Sequence, residues 1–255
     1  MMPDALARSL VLVTDYRVPD PARVWPLMQR HRDSLAHLGA HHVLVYTSTV
    51  DPGRVLAVMA LHAAQPVVDL LRDEAFMAWF DAVGVSDIPA VFAGELVERI
   101  VLTDPQFEPP GSFGGPGFGS PSSSLAEPPG SFGGPGFGSP SSSLAEPPGV
   151  VVAAVAEVGD TRALISHVHA TEKHFTAAGI RKILVFQAFD NPREIFMLQE
   201  ADDEFGAGQW INEPEFASEW ITRAGVGIYP PVFVGRLAHL MRVGDESETA
   251  DEPAS

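Results

Sequence analysis

Cysteine is absent from the 255-residue chain, which excludes disulfides, zinc–thiolate centres and iron–sulfur clusters. Lysine is scarce, two against fourteen arginines, and nowhere do basic side chains cluster as phosphate contacts require. No nucleic-acid partner is therefore expected. No apolar run reaches the 18 or so residues of a membrane helix, and the N-terminus lacks a basic region followed by a long apolar stretch. A cytoplasmic protein without a membrane partner is the expectation. The formal charge of −17 divides as −5 over residues 1–107, −3 over 108–149, −4 over 150–243 and −5 over 244–255. Acidity spread this way supplies solubility rather than a specialised field. Walker loops, dinucleotide fingerprints, nucleophile elbows and metal-binding repeats are missing as well, so neither a metal nor a cofactor is called for.

What the chain does have is an exact repeat. The unit EPPGSFGGPGFGSPSSSLA fills Glu108–Ala126, recurs unchanged over Glu127–Ala145, and starts again at Glu146. Its Pro, Gly and Ser content leaves too little apolar side chain to offset ordering entropy. Residues 105–149 are thus expected to be a disordered tether, and the acidic stretch 244–255 a disordered tail. Residues 9–104 and 150–243 remain as two globular domains of ordinary size.

The first domain reads as βαββαβ. Ser9–Val18 is a β-branched run. Asp20 and Pro21 open a helix as N-cap and first helical residue, and Gly39 closes it. Val24, Met28, His31, Leu35 and Leu38 fall on one face of that helix. His41–Thr49 and Arg54–His62 make a hairpin around the Val50–Gly53 turn. A helix over 65–83 ending at Gly84, then a strand over Pro89–Leu102, complete the split βαβ, or ferredoxin-like, plan.

The same order returns after the tether. Asp160 falls where Asp20 fell, and Gly179 closes its helix 140 residues after Gly39. Ile183-Leu-Val-Phe186 repeats Val43-Leu-Val-Tyr46. Tyr229-Pro-Pro-Val-Phe-Val-Gly-Arg-Leu237 repeats Ile88-Pro-Ala-Val-Phe-Ala-Gly-Glu-Leu96. A tandem duplication accounts for this agreement of caps, turns and aromatics. Strands such as RVLAVMAL and EIFML are apolar at consecutive positions, so both sheet faces must be covered. The expected fold is α+β: two ferredoxin-like βαββαβ domains packed sheet-to-sheet. The tether would convert a dimerisation into intramolecular pairing of the two domains.

Such units, with two-sided apolar sheets, resemble the dimeric α/β-barrel superfamily. That group includes antibiotic-biosynthesis monooxygenases, muconolactone isomerase-like proteins, haem-degrading monooxygenases and stress-responsive barrel proteins. The segment Trp210–Trp220 looks like the second helix of these proteins, which often breaks before an aromatic-rich turn. The resemblance implies a ligand cavity between helix and sheet, and a metal-free oxygenase or isomerase acting on a small apolar or aromatic compound. A non-catalytic binder or a haem protein are alternatives, because fold alone does not decide function.

The candidate catalytic residue is His31, which interrupts an apolar stripe where the second domain carries Thr171. A buried imidazole bonded to a backbone carbonyl, or to the hydroxyl of Tyr46 or Thr47, competes with a general acid–base or haem-ligand role. The aromatics Trp79 and Trp220, with Phe76, Phe80 and Phe216, are candidates to line an apolar pocket. Gln187, Gln199 and Glu200 put polar groups on strands of the second domain, marking it as the half to keep a polar pocket. Glu95 and Arg236 hold matching positions with opposite charge and are expected to pair across the domains. His167 and His174 on a helix edge, and the pair His41-His42, are expected to be solvated.

Overall fold

The computed structural model of the protein describes residues 10–62, 74–85, 88–102, 149–212, 227–228 and 232–243. The tether, the tail and Trp220 with Phe216 lie outside them. The first half runs β1 (Leu10–Arg17), α1 (Val24–Arg30), α2 (Arg32–His37), β2 (Ala40–Ser48), β3 (Arg54–Leu61), α3 (Glu74–Val83) and β4 (Ala90–Val101). The second runs β5 (Val150–Glu157), α4 (Thr161–Ala170), α5 (Glu172–Ala177), β6 (Ile180–Ala188), β7 (Glu194–Ala201), α6 (Glu204–Asn212), the short β8 (Gly227–Ile228) and β9 (Phe233–Arg242).

Local chemistry sets the element ends. Asp20 accepts from the Ala22 N–H at 3.1 Å and Asp160 from the Arg162 N–H at 3.0 Å, as N-cap carboxylates do. Gly39, Gly84 and Gly179 close helices at φ of 80°, 77° and 76°. The helix expected to run unbroken from Asp20 to Leu38 is instead three pieces. A 3₁₀ turn over Pro21–Arg23 leads into α1, and the chain bends at His31 (φ −98°, ψ 17°) before α2. The second half bends at the matching place, Thr171, whose hydroxyl donates to the His167 carbonyl at 2.7 Å. That local bond competes with the helical ladder.

All strand pairings are antiparallel. In the order β1-β3-β2-β9-β5-β7-β6-β4, with β4 returning to β1, eight strands form a closed ring, and β8 adds a short pairing to β5. The two halves are therefore joined edge to edge as well as face to face. Strand β4 pairs with β6 and β9 with β2, through matching registers that set Gly94 beside Ala188 and Gly235 beside Ser48. Closure removes every long free strand edge.

Alternation along the strands divides the core into layers. Inward residues from all eight strands, among them Val11, Leu44, Leu56, Phe92, Val151, Leu184, Leu198 and Phe233, fill the barrel. Outward residues pack beneath the helices in two further clusters, one under the helices of each half, completed by Ile100 and Leu102 of the first half in one and by Met241 and Val243 of the second half in the other. This layering explains the doubly apolar strands. At one end of the interior Arg54 holds Asp15 bidentately, at 2.9 and 2.6 Å, with side chains 7% and 10% exposed. The guanidinium also lies 5.4 Å over the Phe233 ring.

Candidate functional site

The helices of the first half and the outward face of its strands enclose a cleft of about 500 Å³, counting its mouth. Strand β1 sends Leu10, Leu12, Thr14 and Tyr16 outward, and β3 contributes Met59. Above them stand Met28 on α1, Ser34 and Leu35 on α2, Leu38 just after it, and Trp79 on α3. The bend at His31 places that side chain at the mouth. The backbone N–H of His31 is shared between the Leu27 and Met28 carbonyls at 3.1 and 3.2 Å, while its backbone carbonyl accepts from the Leu35 N–H at 2.9 Å. The imidazole meets the Trp79 indole edge-on, with ring centroids 6.4 Å apart and planes at 88°. Trp79 is held by α3, whose last turn is closed by Gly84 and the Val85 N–H bonding to the Phe80 carbonyl at 3.0 Å.

Five lining residues are apolar, three are polar, and His31 is the one titratable side chain among the described residues of the lining. Near this layer Tyr16 is buried without a hydrogen-bond partner for its hydroxyl. Burial, opposed by the neighbouring Trp79 indole, pushes its pKa well above the ordinary tyrosine value.

His31 and Trp79 are thus brought together, but the expectation of a core-buried imidazole is overturned. His31 is exposed, because the chain bends there instead of carrying the stripe through. Tyr46 cannot be its partner. It points into the barrel, on the opposite sheet face, fully buried and with an unpartnered hydroxyl. Burial and the charge of Glu200 push the Tyr46 pKa far up.

The polar residues of the second half serve its own packing. Gln199 accepts from the Trp210 indole at 2.7 Å, and Trp210 packs 4.7 Å from Phe175; all three are buried. These side chains occupy the space that corresponds to the first-half cleft, where Leu35 stands for Phe175 and Met59 for Gln199. Gln187 donates to the Pro192 carbonyl at 2.7 Å and to the Thr161 hydroxyl at 3.0 Å, tying a turn to a helix start. Glu200 pairs with Lys182 at 2.8 Å. Thr171 binds its own helix. The cleft formed by the described residues therefore lies in the half opposite to the one the sequence favoured. Trp220, Phe216 and the Phe76 side chain fall outside the described residues.

Glu95 and Arg236 do not pair with each other. They sit at the two different seams, Glu95 across from Gln187 and Arg236 across from Thr47, and Arg236 bonds Glu204 of its own half. The residues that sequence reasoning missed are Thr14, Ser34 and Met59. The outward alternation Leu10-Leu12-Thr14-Tyr16 was the available signal for Thr14.

Other groups offer less. Among the described residues no set of three His, Asp or Glu side chains converges as a metal site. His41 and His42 share a 2.7 Å Nδ1–Nδ1 hydrogen bond, and the His62 ring lies 4.7 Å from that of His41 at a 37° tilt, so they are partnered rather than simply solvated. Burial, then the charges of His42 and His62, lower the His41 pKa. On α5 His174 is exposed, and on α4 His167 is half-buried. A second hollow of about 280 Å³, counting its mouth, opens at the Asp15 end of the barrel between Phe92, Phe196 and Phe233. Its one charged group, Asp15, is already committed to Arg54.

With the barrel and cleft established, known structures can be compared. A solved anthrone oxidase-like protein superposes with a TM-score of 0.57 at 11% identity, over 96% of this chain and 98% of that one. The fold is that of the dimeric α/β-barrel proteins. A monooxygenase-titled structure from Fusobacterium nucleatum aligns at a TM-score of 0.49 and 8% identity, over 93% of this chain and 95% of the other. A haem-binding protein from Thermus thermophilus aligns at 0.45 and 13%, over 90% and 91%. No protein-family model matches the chain, and no curated protein resembles it in sequence. The resemblance drawn from the sequence holds for the fold, and no helix among the described residues is long and apolar enough to cross a membrane.

Proposed function

We propose that the chain is a small-molecule-binding barrel whose working site is the first-half cleft, and that the cleft takes a small, largely apolar, aromatic compound. The observation that carries this is the lining. Trp79, Met28, Met59, Leu35 and Leu38 form apolar walls around three polar groups, Thr14, Ser34 and His31. Ligand pockets combine surfaces in this way.

Metal-free oxygenase and isomerase chemistry share a first step that this site supports. His31 takes a proton from a carbon activated by an adjoining carbonyl or phenol ring. In an isomerase the imidazolium returns that proton at another carbon. In an oxygenase the carbanion adds to dioxygen as co-substrate, and the resulting peroxide anion takes a proton to give a hydroperoxide. Loss of water then leaves a ketone or quinone.

The second reading, a non-catalytic binder, is favoured by one observation: among the described residues of the lining no carboxylate orients His31. A haem fits less well. Among its described lining residues the cleft offers one imidazole and no cationic side chain to meet two propionates. Thermal shift with a panel of aromatic ketones and phenols, then product analysis under oxygen with wild type and His31→Ala, separates the readings. Turnover lost in the variant supports catalysis, and stabilisation without turnover leaves a binder. A Soret band that depends on His31 would install the haem reading instead.

The two halves also share caps at Asp20 and Asp160, bends at His31 and Thr171, and seam glycines at Gly94 and Gly235. A tandem duplication paired within one chain accounts for them. Light scattering of the full-length protein should then give a monomeric mass, and a dimer held by exchanged halves would overturn the intramolecular pairing.

A further inference from the structure

Thr14 is 2% exposed as a residue, and it is part of the lining of the cleft. Its neighbours across the sheet are Ala57 on β3 and Val91 on β4, neither of which offers a side-chain acceptor or donor. The residue lines the floor of the cleft, beneath Trp79 and the helix residues. At the matching position of β5 stands Ala154, in the half whose corresponding space is filled by Phe175 and Trp210. A hydroxyl on the floor of a mostly apolar cleft must be matched by whatever fills the cleft, because covering it with apolar surface alone is costly. The cleft is thus polar at its floor and at its His31 mouth, and apolar between them. An aromatic ring entering it meets methionine, leucine and tryptophan along its body and a hydroxyl at its buried end.

We infer that Thr14 reads an oxygen function, a ring hydroxyl or a ring ketone, at the deep end of an aromatic ligand. It thereby fixes which end of the molecule is left facing His31. Thr14 is a positioning and specificity residue, since its hydroxyl both donates and accepts and touches no reacting carbon. The inference rests on the reading of the cleft as the ligand site.

The test uses 1-naphthol and 1-methylnaphthalene, which have nearly the same shape, titrated calorimetrically into the full-length chain and its Trp79→Ala, Thr14→Val and Thr14→Ser variants. In wild type 1-naphthol should bind about tenfold more tightly, the worth of one good neutral hydrogen bond. Thr14→Val should erase that preference while still binding the hydrocarbon, and Thr14→Ser should restore it. Thr14→Ala provides a second deletion should the valine variant misfold. A purely structural role for Thr14 would lower both affinities together and leave their ratio intact, which would overturn the inference. If neither compound binds, or if both bind unchanged in Trp79→Ala, the cleft itself is not the site and both readings fall. Trp79-dependent binding with a ratio indifferent to Thr14→Val removes the Thr14 inference alone.

Discussion

A Cβ at Gly94 would stand 2.7 Å from the carbonyl carbon of Gln187, so these two residues fix how closely β4 and β6 approach at one seam of the barrel. The other seam repeats the device: a Cβ at Gly235 would stand 2.5 Å from the Thr47 carbonyl oxygen. In each case a phenylalanine two residues earlier, Phe92 or Phe233, lays its ring over the glycine. Both seams lack room for a methyl group because backbone, not a flexible side chain, lies opposite.

Gly94→Ala should therefore destabilise the protein by about 2–3 kcal/mol or more, at the upper end of overpacking costs. Gly235→Ala should act similarly, since its obstacle is again a carbonyl. Urea denaturation monitored by far-ultraviolet circular dichroism measures both. A loss under about 0.5 kcal/mol for either, the range of an inconsequential surface change, would show that the seam relaxes freely.

The Asp15–Arg54 pair yields a contrast between breaking and replacing. Asp15→Ala takes from a guanidinium that is 7% exposed the carboxylate it grips bidentately, and breaking such a buried pair from one side costs about 3–5 kcal/mol. The double change Asp15→Val with Arg54→Met should recover most of that, because both charges then leave together. The matching position of β5 already carries Val155. Equal loss in the single and double variants would mean that shape, not charge, matters at this end of the barrel.

Much of this architecture is legible in the sequence because it is local. Asp20, Gly39, Asp160 and Gly179 mark element ends through chemistry that acts over a few residues, and doubly apolar strands announce two covered faces. The bend at His31 was hidden because the spacing of Met28, His31 and Leu35 suits an unbroken helix as well as a bent one. Seam pairings were hidden for a different reason. Symmetry suggested that Glu95 and Arg236 meet, but equivalent positions on β4 and β9 each face the second strand of the opposite half. Gln199 looked like a pocket residue because it interrupts an apolar strand. Its partner, the Trp210 indole, lies on another element, and nothing in the strand itself reveals it.

Two tyrosines should show themselves at alkaline pH. Tyr16 and Tyr46 are buried with unpartnered hydroxyls, and burial raises both above the ordinary tyrosine value of about 10. Once pH passes about 10 the unfolded chain releases these protons while the folded chain keeps them. Stability is then full below pH 10 and falls as pH rises, by up to about 1.4 kcal/mol per pH unit for each tyrosine. Tyr46→Phe should flatten that fall between pH 10 and 11.5. At pH 7 it should be neutral or stabilising by about 1 kcal/mol, since it removes an unsatisfied buried group. A marked loss at pH 7 would mean that the hydroxyl is satisfied after all, for instance by a trapped water.

The two halves differ where Leu35 faces the cleft and Phe175 is buried against Trp210. Leu35→Phe would give the first half the larger side chain of the second. The added ring has an existing hollow to enter, so the overpacking cost that usually attends such a change should be small, and the melting temperature should stay within a few degrees of wild type. Its effect on binding should be large, because the ring takes the volume a ligand needs between Met28 and Trp79. An aromatic ligand that stabilises wild type in thermal shift should give little or no shift with Leu35→Phe. The conservative Leu35→Met change should keep most of it. If Leu35→Phe binds as wild type does, the ligand lies elsewhere. The hollow at the Asp15 end of the barrel is then the next place to probe, through Phe92→Ala.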